Sequence, residues 1–213
     1  MTSPESKRII DITRPLRGGM PVWPGDPPCR VAWAARIDRG DPANVAELQL
    51  GAHTGTHADG PFHVDSTGPT IGSMELDAFV GPAFLVDAPA GGVLDEHWAA
   101  EVLQRIRPVR LLVRTGCWRD AAAFPTAFPA PAPGAVERLC RAGLRLYGTD
   151  APSVDPFISS DLPSHRVLAS ARAAILENLL LDDVIPGEYE LVALPLRLNE
   201  ADASPIRAVL RPA

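Results

Sequence analysis

Short apolar runs, most of them cut off by proline or glycine, alternate along the chain with a few stretches of helical spacing. RIIDIT (8–13) is β-branched, is closed by Pro15 and predicts a strand. PAFLVDA (82–88), VRLLVRTG (109–116), AAILENLLL (173–181), YELVALPLRL (189–198) and IRAVLR (206–211) predict further strands. VAELQLGAH (45–53) alternates, with Leu48, Leu50 and Ala52 on one side and Glu47, Gln49, Gly51 and His53 on the other. RVAWAARI (30–37) fits a strand or an irregular edge, and LRLYGTDAPSVDP (144–156) reads as a strand running into a polar turn.

Three segments carry helical spacing instead. DEHWAAEVLQRI (95–106) places Trp98, Val102, Leu103 and Ile106 on one face behind an Asp95 N-cap. AVERLCRAGL (135–144) is stopped by Gly143, and SHRVLASARA (164–173) is the third. GGMPVWPGDPP (18–28) and AFPTAFPAPAPG (123–134) are too rich in proline for regular structure. No repeat and no long linker divides the chain. Strands mixed with about three helices predict one α/β domain over 1–213, built on a mixed sheet.

Composition narrows the class. The 213 residues are 46% hydrophobic and 22% charged, enough apolar content for a buried core. A net charge of −6 argues against a nucleic-acid or anionic-membrane surface, which needs clustered Lys and Arg. No apolar run approaches the ~20 residues that span a bilayer, and the N-terminus shows no apolar core of a secretory signal. Cys29, Cys117 and Cys140 are odd in number, far apart and without a C-x-x-C pair. They read as reduced thiols of a cytoplasmic protein.

The chemistry concentrates in HTGTHADGPFH (53–63), which holds three of the five histidines. A helix would bring His53 and His57 to one face, but Gly55, Gly60 and Pro61 oppose it by roughly 1, 1 and 3 kcal/mol. A straight strand fails as well: four residues span about 13 Å at ~3.3 Å each, while two ligands of one metal lie about 3 to 3.5 Å apart. The chain must therefore turn at Thr54-Gly55-Thr56 and bring His57 and Asp59 back toward His53, with Gly55 free to take a positive φ. Two imidazoles and a carboxylate without thiolate suit Zn²⁺ or Mn²⁺, and three protein ligands leave a coordination position open. The bland alternative, a polar loop with histidines bonded to backbone, fits any one of these histidines better than the cluster, which is costly without a shared purpose.

HTGTHADGPFH matches the H-x-G-T-H-x-D-x-P-x-H motif, and on it the chain resembles the metal-dependent cyclase family. PVWPGDPP (21–28), GTDAPSVDP (148–156), His165 and Glu177 with eleven residues between them, and YELVALPLRL with ASPIRAVLR extend the likeness over nearly the full length, toward the family's bacterial kynurenine formamidases. The resemblance implies a swivelling β/β/α fold, a homodimer and two zinc ions per chain. By motif position His53, His57 and Asp59 would hold one ion, and Asp59 would bridge to a second held by His165 and Glu177. His63 would transfer protons rather than bind metal, and Trp23 would contact an aromatic substrate. The implied reaction is hydrolysis of N-formyl-L-kynurenine to L-kynurenine and formate by a zinc-activated water, with His63 as general acid/base.

The residues themselves pair His165 and Glu177 only weakly, because the first opens an expected helix and the second sits in an expected strand. Glu177 is nonetheless odd in so apolar a run, since a buried carboxylate needs a partner. Gly60 departs from the more usual alanine, one small residue for another, and should leave the ligands undisturbed. The loop at 119–134 is unusually rich in alanine and proline. Arg197 and Arg207 are candidates for a substrate carboxylate, each equally readable as a structural ion pair. His97 reads as exposed, Cys117 as a passive thiol, and Asp150 and Asp155 as shapers of the GTDAPSVDP turn. Two other functions remain open: a different amide or isatin-type hydrolase of the same family, and a non-catalytic protein that zinc merely stabilises.

Overall fold

A computed structural model describes residues 9–118 and 122–213. Arg8, which opens the first expected strand, and residues 119–121 of the Ala/Pro-rich loop lie outside the described residues. Nine strands form one mixed sheet: β1 (Ile10–Asp11), β4 (His57–Asp59), β5 (Val80–Asp87), β6 (Arg110–Arg114), β7 (Leu146–Thr149), β8 (Ala174–Glu177), β9 (Gly187–Val192), β10 (Ala203–Pro205) and β11 (Val209–Pro212). Their order is β1-β11-β9-β5-β6-β7-β8-β4-β10, with β5 to β8 parallel and the flanking pairs antiparallel. The sheet curls, because the chain just beyond β1 also touches the end of β8: Thr13 bridges to Leu179, and Leu180 N donates to Ile12 O at 2.9 Å.

The period-2 alternation of the parallel strands sorts their side chains into two cores. Leu112, Leu146, Ala174 and Leu176 point into the curl with Phe79, Leu191 and Leu210. Leu111, Val113, Tyr147 and Ile175 point outward, against α1 (Glu96–Arg105), α2 (Pro133–Arg141) and α3 (Pro163–Ser170). Asp95 caps α1 as the sequence predicts, its side chain accepting from Trp98 N, and Trp98, Ala99 and Val102 form the buried face. Gly143 follows α2 at φ +103°, the left-handed stop expected there.

The alternating segment at 45–53 is shorter than its pattern suggests. Its regular part, β3 (Val45–Gln49), pairs only with β2 (Arg30–Ala35) in a separate hairpin, and every β3 residue is exposed. The strand ends four residues before His53, which lies in a turn, since Gly51 and the glycine turn that follows release the chain from the ladder. Two strands had no apolar signature to announce them: β4, made of the motif's own His57-Ala58-Asp59, and β10.

Candidate metal centre

Strand register builds the centre. In β4 only Ala58 turns into the curled core, so His57 and Asp59 must face the other way. Antiparallel pairing sets His57 opposite Glu177, Ala58 opposite Leu176 and Asp59 opposite Ile175. With Leu176 in the inner core, Glu177 therefore shares a face with His57 and Asp59. The first turn of α3 delivers His165 to that face; Pro163 starts the helix, and Asp155 accepts from the backbone N–H of Ser164 at 2.9 Å and of His165 at 3.0 Å. His53 arrives from the loop, folded back at Gly55, whose φ is +66° and whose added Cβ would meet Leu16 Cδ2 at 2.7 Å.

All five side chains named from the sequence as ligands converge. His53 Nδ1 lies 3.1 Å from Asp59 Oδ1, and His57 Nε2 lies 3.4 Å from the same oxygen. His57 Nε2 is 3.3 Å from Glu177 Oε2, and His165 Nε2 is 3.3 Å from Glu177 Oε1 and 3.8 Å from Asp59 Oδ2. Two overlapping ligand sets result, His53–His57–Asp59 and Asp59–His165–Glu177, each with its ligand atoms within 4.8 Å of one another. Asp59 belongs to both.

The outer nitrogen of each imidazole is tied back. His57 Nδ1 donates to Gly55 O at 2.9 Å, His165 Nδ1 to Asp155 Oδ2 at 2.7 Å, and His53 Nε2 to Asp202 Oδ2 at 2.8 Å. These bonds place the proton of each neutral ring on the outside and turn a lone pair inward, as the outer partners of metal-bound histidines do. Asp155 thus does more than shape its turn. Glu177 Oε1 also accepts from Val154 N at 2.9 Å.

Three inward atoms are buried without a hydrogen bond: His57 Nε2 and both carboxylate oxygens of Asp59. A buried polar atom left unpaired is costly, and three facing one point fit a cation. The charges agree. Burial opposes protonation of His53, but the charge of Asp59 and the hydrogen bond to Asp202 overcome it and raise the imidazole to about 11. Burial is likewise overcome at His165 by Asp155 and Glu177, which raise it to about 10. Asp59 is held well below the usual carboxylate range: burial works against its ionisation, and the surrounding imidazoles outweigh that. The field that retains these protons would retain a divalent metal in their place.

A cavity of about 270 Å³ opens from the centre. His53, His57, His63, His165 and Glu177 line one end, and Trp23, Trp118 and Phe124 line the aromatic wall. Trp23 meets Phe124 edge-on with ring centroids 5.6 Å apart, and Phe157 lies 5.0 Å behind it. His63 lines the cavity from a 3-10 turn, Pro61–His63, its ring 4.4 Å from that of His53 and 5.5 Å from that of His165.

Other sequence candidates lie elsewhere. Arg207 pairs with Asp11 on the surface, and Arg197 lines a separate cavity. His97 is exposed beside Glu101. Burial raises the Cys117 thiol to about 11, which keeps it a passive group. The sequence reading missed Asp202, a polar residue in a loop whose only signal is the ASPIRAVLR segment that begins just after it.

The fold and the site define an α/β protein carrying a buried histidine–carboxylate centre of the metal-binding kind, fed by an aromatic cavity. The chain belongs to the Cyclase family, described as "Putative cyclase", which matches residues 10–156. It is 44% identical over 207 residues to the kynurenine formamidase of Delftia acidovorans, covering 97% of this chain and 98% of that one. It is 45% identical to the kynurenine formamidase of Paracidovorax citrulli, covering 99% of both. Among solved structures, a "Potential Metal-Dependent Hydrolase With Cyclase Activity" superposes with a TM-score of 0.80 at 29% identity, covering 96% of this chain and 97% of that one. Isatin hydrolase A from Ralstonia solanacearum superposes with a TM-score of 0.83 at 25% identity, covering 97% and 92%.

Proposed function

We propose that this protein is a zinc-dependent arylformamidase that hydrolyses N-formyl-L-kynurenine to L-kynurenine and formate. One observation carries the reading: a single cavity joins a centre of three imidazoles and two carboxylates to a wall of Trp23, Trp118 and Phe124. The kynurenine formamidases at 44–45% identity over nearly the full chain support it. His53, His57 and Asp59 would hold one metal, and Asp59, His165 and Glu177 a second, with Asp59 as the bridge. Imidazole and carboxylate donors without thiolate suit zinc, and manganese shares the preference. When bound, zinc supplies Lewis acidity and makes hydroxide available near neutral pH.

The chain's own groups do the rest. Trp23 and Phe124 offer flat apolar faces that hold an aryl ring and orient the formamide toward the centre. The leaving group is an aniline nitrogen, which must gain a proton as the C–N bond breaks, and His63, which lines the cavity, has the ring chemistry to deliver it. Asn178 Nδ2 and His57 Nδ1 both donate to Gly55 O, at 3.0 and 2.9 Å, which fixes the glycine turn that carries the ligands.

The similarity to an isatin hydrolase favours one other reading, the opening of a cyclic aryl amide. Turnover of N-formyl-L-kynurenine, simple formanilides and isatin, with metal analysis on the same sample, separates the two. The expected result is a kcat/KM for N-formyl-L-kynurenine at least tenfold above that for isatin; the reverse preference overturns the formamidase reading. The cytoplasmic location and the homodimer implied by the resemblance belong to the same proposal, and light scattering of the purified chain tests the dimer.

A further inference from the structure

Asp202 stands between a ligand and the proton carrier. Its Oδ2 accepts from His53 Nε2 at 2.8 Å and from His63 Nδ1 at 3.0 Å. An ionised carboxylate only accepts, so His63 Nδ1 carries the hydrogen of that bond. The ring's other nitrogen, Nε2, is then left for the cavity that His63 lines. His63 is partly exposed on a short 3-10 turn, and among the described residues no second hydrogen bond or ion pair holds its ring.

Asp202 is placed by backbone, not by chance approach of a flexible side chain. It directly precedes β10, whose Ala203 lies opposite Asp59. Gly60 N donates to Asp202 O at 2.8 Å, and Ile71 N donates to Ala201 O at 3.1 Å. Gly60 has φ −92° and ψ 160°, open to any residue, so conformation does not explain the glycine. Space does: a Cβ there would lie 2.9 Å from Ile71 N and 3.3 Å from Asp202 O. The exchange of alanine for glycine is therefore not neutral for this loop.

We propose that Asp202 is a positioning residue for His63, fixing the tautomer and orientation that present Nε2 to the departing nitrogen, and that Gly60 provides the space for its loop. The proposal rests on the reading of His63 as proton carrier. Asp202 also ties the outer nitrogen of His53, so a loss confined to zinc binding, or a third metal-binding set of His53, His63 and Asp202, is the competing outcome that the test separates.

The test compares zinc-loaded full-length wild type, Asp202→Ala, His63→Ala and the double variant, by kcat and KM on N-formyl-L-kynurenine and by zinc content. Loss of an outer-shell partner typically lowers activity by about 10- to 100-fold. Asp202→Ala is expected to lower kcat by about that factor with KM within about twofold and zinc per chain unchanged. Groups acting as one unit are strongly non-additive, so the double variant should be no slower than His63→Ala alone. In ¹⁵N-histidine NMR, the Nδ1–H signature of His63 should be present in the wild type and lost in Asp202→Ala. Gly60→Ala should retain zinc and show an intermediate kcat. If Asp202→Ala does not fold, Asp202→Leu, close in size and without an acceptor, carries the same comparison. Wild-type kcat in the Asp202 variant, zinc loss in proportion to activity, or multiplicative losses in the double variant would each overturn the proposal. Failure of the underlying reading looks different: His63→Ala would then keep its turnover or lose its zinc.

Discussion

Asp59 can serve two ligand sets because both of its oxygens are buried and face different partners, Oδ1 toward His53 and His57 and Oδ2 toward His165. Glu177 belongs to one set only, so Glu177→Ala should lower bound zinc toward one per chain while leaving some metal at His53 and His57. Elemental analysis of the dialysed variant checks this, and unchanged stoichiometry of two would sink the two-metal arrangement. Trp23, which lines the cavity, is proposed to hold the substrate's aryl ring. Its removal should raise KM by roughly 2- to 10-fold, the range of an aromatic contact worth about 0.5–1.5 kcal/mol, with kcat less affected; steady-state kinetics on Trp23→Ala measures it. His53, His57, Asp59 and His63 were legible as candidates because their motif places rare residue types at fixed spacing, whereas His165 and Glu177 came only with the family resemblance. Asp202 was not legible, because a lone aspartate in a loop has no pattern until the fold sets it beside two histidines.

At the scale of elements, local signals proved good guides where they were strong. Asp95 caps α1 through Trp98 N at 2.9 Å, so Asp95→Ala should destabilise the fold by about 0.5–2 kcal/mol, read from urea unfolding, without changing zinc content. Apolar runs marked β5, β6, β7 and β8; the last three are buried almost throughout between the curl and the helices, and β5 buries Ala83 and Leu85 in the inner core. They failed for β4, where the strand is His-Ala-Asp and only Ala58 is apolar. At 45–53 the alternation does mark a strand, β3, but it ends at Gln49 and neither of its faces is buried within the chain. A pattern of side chains records which faces can be apolar; it does not record what lies against them.

For the molecule as a whole, the two hydrophobic cores lie on either side of the sheet and contain none of the candidate ligands. Chelation should therefore abolish turnover while leaving a cooperatively folding protein with a lower Tm, followed by circular dichroism; outright unfolding would favour a structural metal. The pH dependence has a definite sign. Without metal, His53 and His165 are raised to about 11 and about 10, above their ordinary 6.5. Their protonation stabilises the apoprotein fully below pH 6.5, and that contribution is lost as pH rises through 10 to 11. Metal must displace those protons, so apparent zinc affinity should rise with pH up to that range, with protons released at pH 8 as seen by calorimetry in buffers of differing ionisation enthalpy. By itself the sequence indicated the α/β class, the Asp95 cap of α1, the central strands and the candidate ligands of the histidine motif, because propensity, capping and motif spacing act over a few residues. Only the tertiary structure decided that His57 faces Glu177 across β4 and β8, that α3 brings His165 to the same point, and that Asp202 reaches His63. Those contacts join residues more than a hundred positions apart, and strand register and loop packing, which local sequence does not encode, set their geometry.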